Sequence, residues 1–194
     1  MKKTIVLLAV CLAFMPALAQ EQQPAADQQK AMEAYAKAGA PNENHEFLKK
    51  FAGGWDCQVK GWMAPGQPPM VSQGAFQGEM ILDGRFLRMD FKGEMFGQPF
   101  KGLQILGYDN AQKKFITLWI DNTSTFFFTT TGTRQGDVLN ETALWTDPLT
   151  GAQSPMKART TRAGADEYVY EQFMVMPDNS EFKSMEMRCT RQKK

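Results

Sequence analysis

Histidine is nearly missing from this chain: His45 is the one histidine among 194 residues. A Ser-His-Asp unit or any other imidazole base would have to use it. No Gly-x-Ser-x-Gly turn is present to carry a nucleophilic serine. A single imidazole with no neighbouring ligand motif is weak ground for a metal site, so no metal and no cofactor is expected. Cysteine is sparse too, with three residues, Cys11, Cys57 and Cys189. Beyond the N-terminal twenty or so residues, no apolar run has the length of about 20 needed to span a bilayer as a helix. No Lys/Arg cluster interleaved with aromatics occurs, which argues against a nucleic-acid partner.

What is present begins with a leader. Lys2 and Lys3 precede the apolar stretch TIVLLAVCLAFM, and Ala17 and Ala19 stand at the small-residue positions of a cleavage site. This predicts a signal peptide over residues 1–19 and a periplasmic or secreted mature chain. Losing Lys2 and Lys3 takes the formal charge from +1 to −1. Residues 20–41 predict a polar, Gln- and Pro-rich leader carrying one short helix, with Asp27 as its N-cap and Gly39 as its stop. Residues 42–194 predict a single domain. It opens on a second short helix capped by Asn42 or Asn44, with Phe47, Leu48 and Phe51 on one stripe.

From Trp55 the texture changes. Ten runs follow: Trp55–Met63, Val71–Leu82, Arg85–Met95, Pro99–Tyr108, Lys114–Asn122, Thr125–Thr133, Val138–Thr146, Pro155–Arg162, Glu167–Met176 and Glu181–Arg191. They are separated by turn-forming stretches such as APGQPP, YDNAQKK and MPDNS. No helix intervenes, so the sheet is antiparallel. Ten strands in an open sheet would leave two long edges, and closure removes them. The expected fold is an all-β, ten-stranded, up-and-down antiparallel barrel with short N-terminal helices.

The two cysteines of the predicted mature chain fit closure. Cys57 lies in the first run and Cys189 in the last, and these are neighbours only in a closed barrel. Trp55, Cys57 and Val59 share one face, as do Met185, Met187 and Cys189. In an exported chain this predicts a disulfide; two buried free thiols are the alternative.

The stretch HEFLKKFAGGW, followed in order by GWMAPGQPP, ILDGRFL, GLQILGYDNAQKKF, WIDNTST, DPLTG and EFKSMEM, resembles a bacterial family catalogued as domain of unknown function 1579. The resemblance runs from about Met32 to the C-terminus. It implies a calycin-type barrel, related in shape to lipocalins and fatty-acid-binding proteins, and implies no activity. Haem-binding barrels of similar outline also open on Gly-x-Trp but ligate iron through a late histidine. His45 precedes the first strand, so that function does not carry over.

A ten-stranded barrel is wider than the eight-stranded size that side chains just fill. The aromatic residues Trp55, Tyr108, Phe115, Trp119, Trp145, Tyr168 and Tyr170 suit an apolar pocket, with Arg88, Tyr108 and Asp121 as orienting polar groups. The leading expectation is therefore binding of a small apolar or amphipathic molecule. Two alternatives stand beside it. One is a hydrolase or isomerase using His45 or buried carboxylates, drawn from Asp90, Asp121, Glu141 and Glu171. The other is a solid barrel acting through an outer aromatic patch. The stretch STFFFTTTGT carries that patch: as a continuous strand it puts Phe126 and Phe128 on one face and Phe127 on the other. The outward face then needs a cover, either the N-terminal helix or a second copy of the chain in a homodimer. Met174, Met176, Met185 and Met187 are read as pliable filling or as a soft sulfur cluster.

Overall fold

The computed structural model describes residues 25–193, apart from 96, 148 and 149. The signal peptide, its cleavage near Ala19 and Cys11 fall outside the described residues. Two units are distinguished, residues 1–37 and 38–194. In the first, helix α1 (Ala25–Ala38) has Asp27 inside its first turn, rather than at its cap, and Lys37 in its last turn. Both charges oppose the helix dipole favourably.

The second unit starts with α2 (Glu43–Lys49). Ten strands follow: β1 (Gly53–Gly61), β2 (Met70–Ile81), β3 (Phe86–Met95), β4 (Gln98–Asp109), β5 (Lys114–Asp121), β6 (Phe128–Gln135), β7 (Val138–Thr146), β8 (Gln153–Arg162), β9 (Glu167–Val175) and β10 (Glu181–Arg191). Each pairs antiparallel with its sequence neighbour, and β1 pairs with β10, so the barrel is closed. Cys57 lies opposite Cys189, and the two form a disulfide with their Cα atoms 4.1 Å apart. The bridge ties the first strand to the last across 132 residues of sequence.

A seven-residue helix is unstable alone in water. Here α2 is held by its cap and its burial. The Asn42 side chain accepts from the Asn44 N–H, and His45 Nδ1 accepts from the Asn42 N–H at 2.9 Å. Phe47, Leu48 and Phe51 are buried, and each contributes about 2 kcal/mol relative to exposure. The helix closes the barrel end where β1 begins. Three inward arginines seal the rim there. Arg191 lies 4.1 Å over the Trp55 ring and donates to the carbonyls of Lys50 and Ala52. Arg134 covers Phe47 and Arg162 covers Phe51. Trp55 Nε1 donates to the Phe51 carbonyl at 2.8 Å, joining helix end to first strand.

The largest departure of a strand boundary from expectation is at the start of β6, where Phe128 stands in place of Thr125. β5 ends at Asp121, whose Oδ1 accepts from the Thr123 N–H and hydroxyl, while Asn122 bonds back to the backbone of Pro99 and Lys101. These local bonds hold residues 122–127 as a loop. β6 therefore begins at Phe128, which points into the barrel opposite Trp119. Phe126 and Phe127 are loop residues, exposed at the end of the barrel away from α2. They are not the two faces of one strand.

Candidate functional site

Directly opposed residues of antiparallel strands point to the same face, so the register identifies the inward row of every strand. Near α2 that row is sealed. Trp55, Cys57, Leu87, Leu106, Phe115, Leu139, Tyr168 and Cys189 are buried there. Toward the other end, here called the mouth, the inward row changes character. Val59, Phe100, Trp119, Phe128, Ala143, Trp145, Tyr170, Gln172, Met185 and Met187 face inward and are only partly buried. This exposure marks the end of the barrel that α2 does not fill.

Two glycines shape this half. A Cβ at Gly102 would lie 2.1 Å from the Trp119 ring, so the indole can lie flat against β4 only because that position is glycine. A Cβ at Gly132 would lie 2.7 Å from Glu141 Cγ, so the same absence of side chain admits Glu141.

Glu141 is the central polar group. It sits on the inward row of β7 between Leu139 and Ala143 and is 5 % exposed. Its Oε1 accepts from Thr117 Oγ1 at 2.6 Å and from Thr130 Oγ1 at 2.5 Å. Its Oε2 accepts no hydrogen bond from the described residues, and none of their lysines or arginines pairs with it. Burial pushes its carboxyl above the ordinary range, and the two threonine bonds only partly oppose this. The same burial, reinforced by the Glu141 charge, pushes the Tyr170 phenol up. Tyr170 donates to Gln172 Oε1 at 3.2 Å, and Gln172 Nε2 donates to Ser184 Oγ at 3.2 Å.

Asp121 stands nearer the mouth. Burial alone would raise its carboxyl, but hydrogen bonds from Thr123 and Trp119 outweigh that and hold it below its ordinary value. Trp119 Nε1 donates to its Oδ2 at 2.9 Å.

The residues singled out from the sequence thus fall into three places. Trp119, Asp121, Trp145 and Tyr170 line the mouth half. Trp55, Phe115 and Tyr168 are core of the sealed half, and Tyr108 lies between Phe115 and His45. Arg88 is a correction. With Leu87 and Met89 buried inside, the alternation puts Arg88 on the outer face, where it bonds Asp90 Oδ1 at 2.9 Å. It cannot orient a guest within the barrel. Glu141, which the sequence offers only as one of several carboxylates, is the buried inward acid. The available signal was its place in the row Leu139, Glu141, Ala143, Trp145, an acid on an apolar face.

His45 is tied to Asn42 in the capping box and packs edge-on to Tyr108. Burial, aided by the Arg85 charge, lowers its pKa. No group of three or more His, Cys, Asp or Glu among the described residues is placed to hold a metal. No described helix is long and apolar enough to cross a membrane.

Two solved structures share this architecture. Rv2717c from M. tuberculosis superposes with a TM-score of 0.55 at 16 % identity, covering 76 % of this chain and 96 % of its own. The S-type phycobiliprotein lyase CPES from Guillardia theta superposes with a TM-score of 0.52 at 10 % identity, covering 82 % of this chain and 97 % of its own. These likenesses concern the fold. No curated protein matches the sequence. Residues 40–191 match the family model described as "Protein of unknown function (DUF1579)", and the chain belongs to that family.

Proposed function

We propose that this is an exported, periplasmic barrel protein that holds a small apolar or amphipathic molecule in the mouth half of its barrel. The observation that carries the reading is the partial exposure of an inward row made of Phe100, Trp119, Phe128, Trp145, Met185 and Met187. Aromatic and thioether surface facing space inside a closed wall is the composition of a receptacle for an apolar guest. Burial of the guest drives binding at roughly 25 cal/mol per Å² of apolar area. Glu141, Tyr170 and Gln172 supply the few polar contacts. The reaction of the lyase stays with that protein, since 10 % identity carries no activity.

The test is a titration with the uncharged fluorophore N-phenyl-1-naphthylamine, following its emission and energy transfer from tryptophan. Saturable enhancement is expected in the wild type, with loss of at least ten-fold in affinity for Ala143→Phe, which fills the half-open inward row. Absence of saturable binding, or equal binding by the filled variant, contradicts the reading.

A second reading rests on Phe126 and Phe127, which are 45 % and 73 % exposed at the mouth. Met63, on the β1–β2 connection, and Met70, the first residue of β2, are exposed at the same end. In that reading two copies meet mouth to mouth. Sedimentation at micromolar concentration separates the two: monomers of wild type and Phe127→Ser alike sink the dimer.

A further inference from the structure

Resting on the mouth-half reading, we infer that the guest carries a cationic head, an amine or quaternary ammonium, seated against Glu141. The argument is one of charge inventory. The inward row of the mouth half holds two acids, Glu141 and Asp121, and no lysine or arginine among the described residues. The inward bases Arg134, Arg162 and Arg191 all lie at the α2 end. There they cover Phe47, Phe51 and Trp55 and donate to side-chain or backbone oxygens. Arg88, Arg159, Lys157 and Lys183 lie on the outer wall, where Lys157 and Lys183 pair with Glu181 and Glu171. An anionic head entering the barrel would be desolvated beside two acids with no counter-charge.

The geometry of Glu141 fits the opposite sign. Both threonine hydroxyls converge on Oε1, which leaves Oε2 without a protein partner inside the wall. A buried carboxylate with no counter-ion is costly, and a cation at Oε2 relieves that cost. Elsewhere on the inward wall of the mouth half stand rings whose faces attract a desolvated cation, chiefly Trp119 and Phe100, stacked with centroids 6.2 Å apart. Asp121, held ionised at the mouth, draws a cation inward. The substrate class is therefore an apolar body with one positive head, and fatty-acid-like anions are the class rejected.

Three probes of one chain length test this by calorimetry below micelle formation: decyltrimethylammonium, decanol and decanoate. The wild type is expected to bind the ammonium at least ten-fold more tightly than decanoate, with decanol between them. Glu141→Gln, which keeps an acceptor for Thr117 and Thr130, should lose about ten-fold for the ammonium and little for decanol. The comparison of heads on the wild type stands even if the variant does not fold. Decanoate binding as tightly as the ammonium overturns the cation inference while leaving the receptacle intact, as does unchanged ammonium affinity in a folded Glu141→Gln. Failure of all three probes to bind overturns the receptacle reading and the inference together.

Discussion

The two halves of the barrel share one wall and one strand register yet differ in what fills them. At the α2 end, helix, aromatic rings and capping arginines bury the inward side chains of Trp55, Leu87, Phe115, Leu139 and Tyr168. At the mouth, the same strands present rings, thioethers and a buried acid with surface to spare. The difference lies in the plug rather than in the strands: α2 supplies Phe47 and Leu48 to one end, and the described residues supply no equivalent to the other. The closed ten-stranded wall is thus plugged by α2 at one end and, among the described residues, by no helix at the other.

The largest expected effects lie in the sealed half. Removing the Cys57–Cys189 bridge should cost about 5 kcal/mol on the chain-entropy model, because the loop it closes spans 132 residues. Denaturant melts with and without reductant will show this. Trp55→Ala should cost about 3–5 kcal/mol, since the indole is fully buried and bonded to Phe51. Trp119→Ala is the sharper contrast. Its ring is partly exposed, so we expect well under half that loss together with weakened binding of N-phenyl-1-naphthylamine. Equal losses at the two tryptophans would erase the distinction between the halves.

Glu141→Gln probes the polar centre by pH. An acid raised above its ordinary value on folding binds its proton more tightly folded than unfolded. Its penalty is absent below the unfolded pKa and grows as pH rises through the folded one. The variant should therefore gain stability relative to wild type as pH increases from the ordinary carboxylate range toward neutrality. Tyr170, whose phenol feels the Glu141 charge, stays protonated through that window. A stability difference that is flat with pH would contradict the burial argument.

His45→Ala should cost about 1 kcal/mol through loss of the capping box and leave probe binding unchanged. A collapse of function without loss of fold would instead revive the enzymatic alternative. Smallest of all, Phe127→Ser should change stability by less than about 0.5 kcal/mol, because the ring is exposed on a loop.

Much of the wall was legible in the sequence. Runs of about ten residues broken by turn chemistry yield ten strands, and the shared face of Trp55, Cys57 and Val59 with Met187 and Cys189 yields both closure and the bridge. Arg88 is legible as outward once Leu87, Met89 and Phe91 are taken as the inward row, because Arg88, Asp90, Lys92 and Glu94 alternate with them along the strand. The Phe126–Phe128 run was not legible as a loop end, because its structure is set by side-chain bonds of Asp121 and Asn122 rather than by the apolar pattern. The division into halves was not legible either. Tyr168 and Tyr170 share a face and a residue type, and only the position of α2 makes one of them core and the other wall.

The most direct test of the account is native mass spectrometry of the protein isolated from its own source, set against its denatured mass. A guest that leaves on denaturation, of a mass fitting an amphiphile with one positive head, is the predicted result. A native mass equal to the polypeptide alone, in protein that also fails to take up decyltrimethylammonium, decanol or decanoate, would contradict the claim that the mouth half is a receptacle.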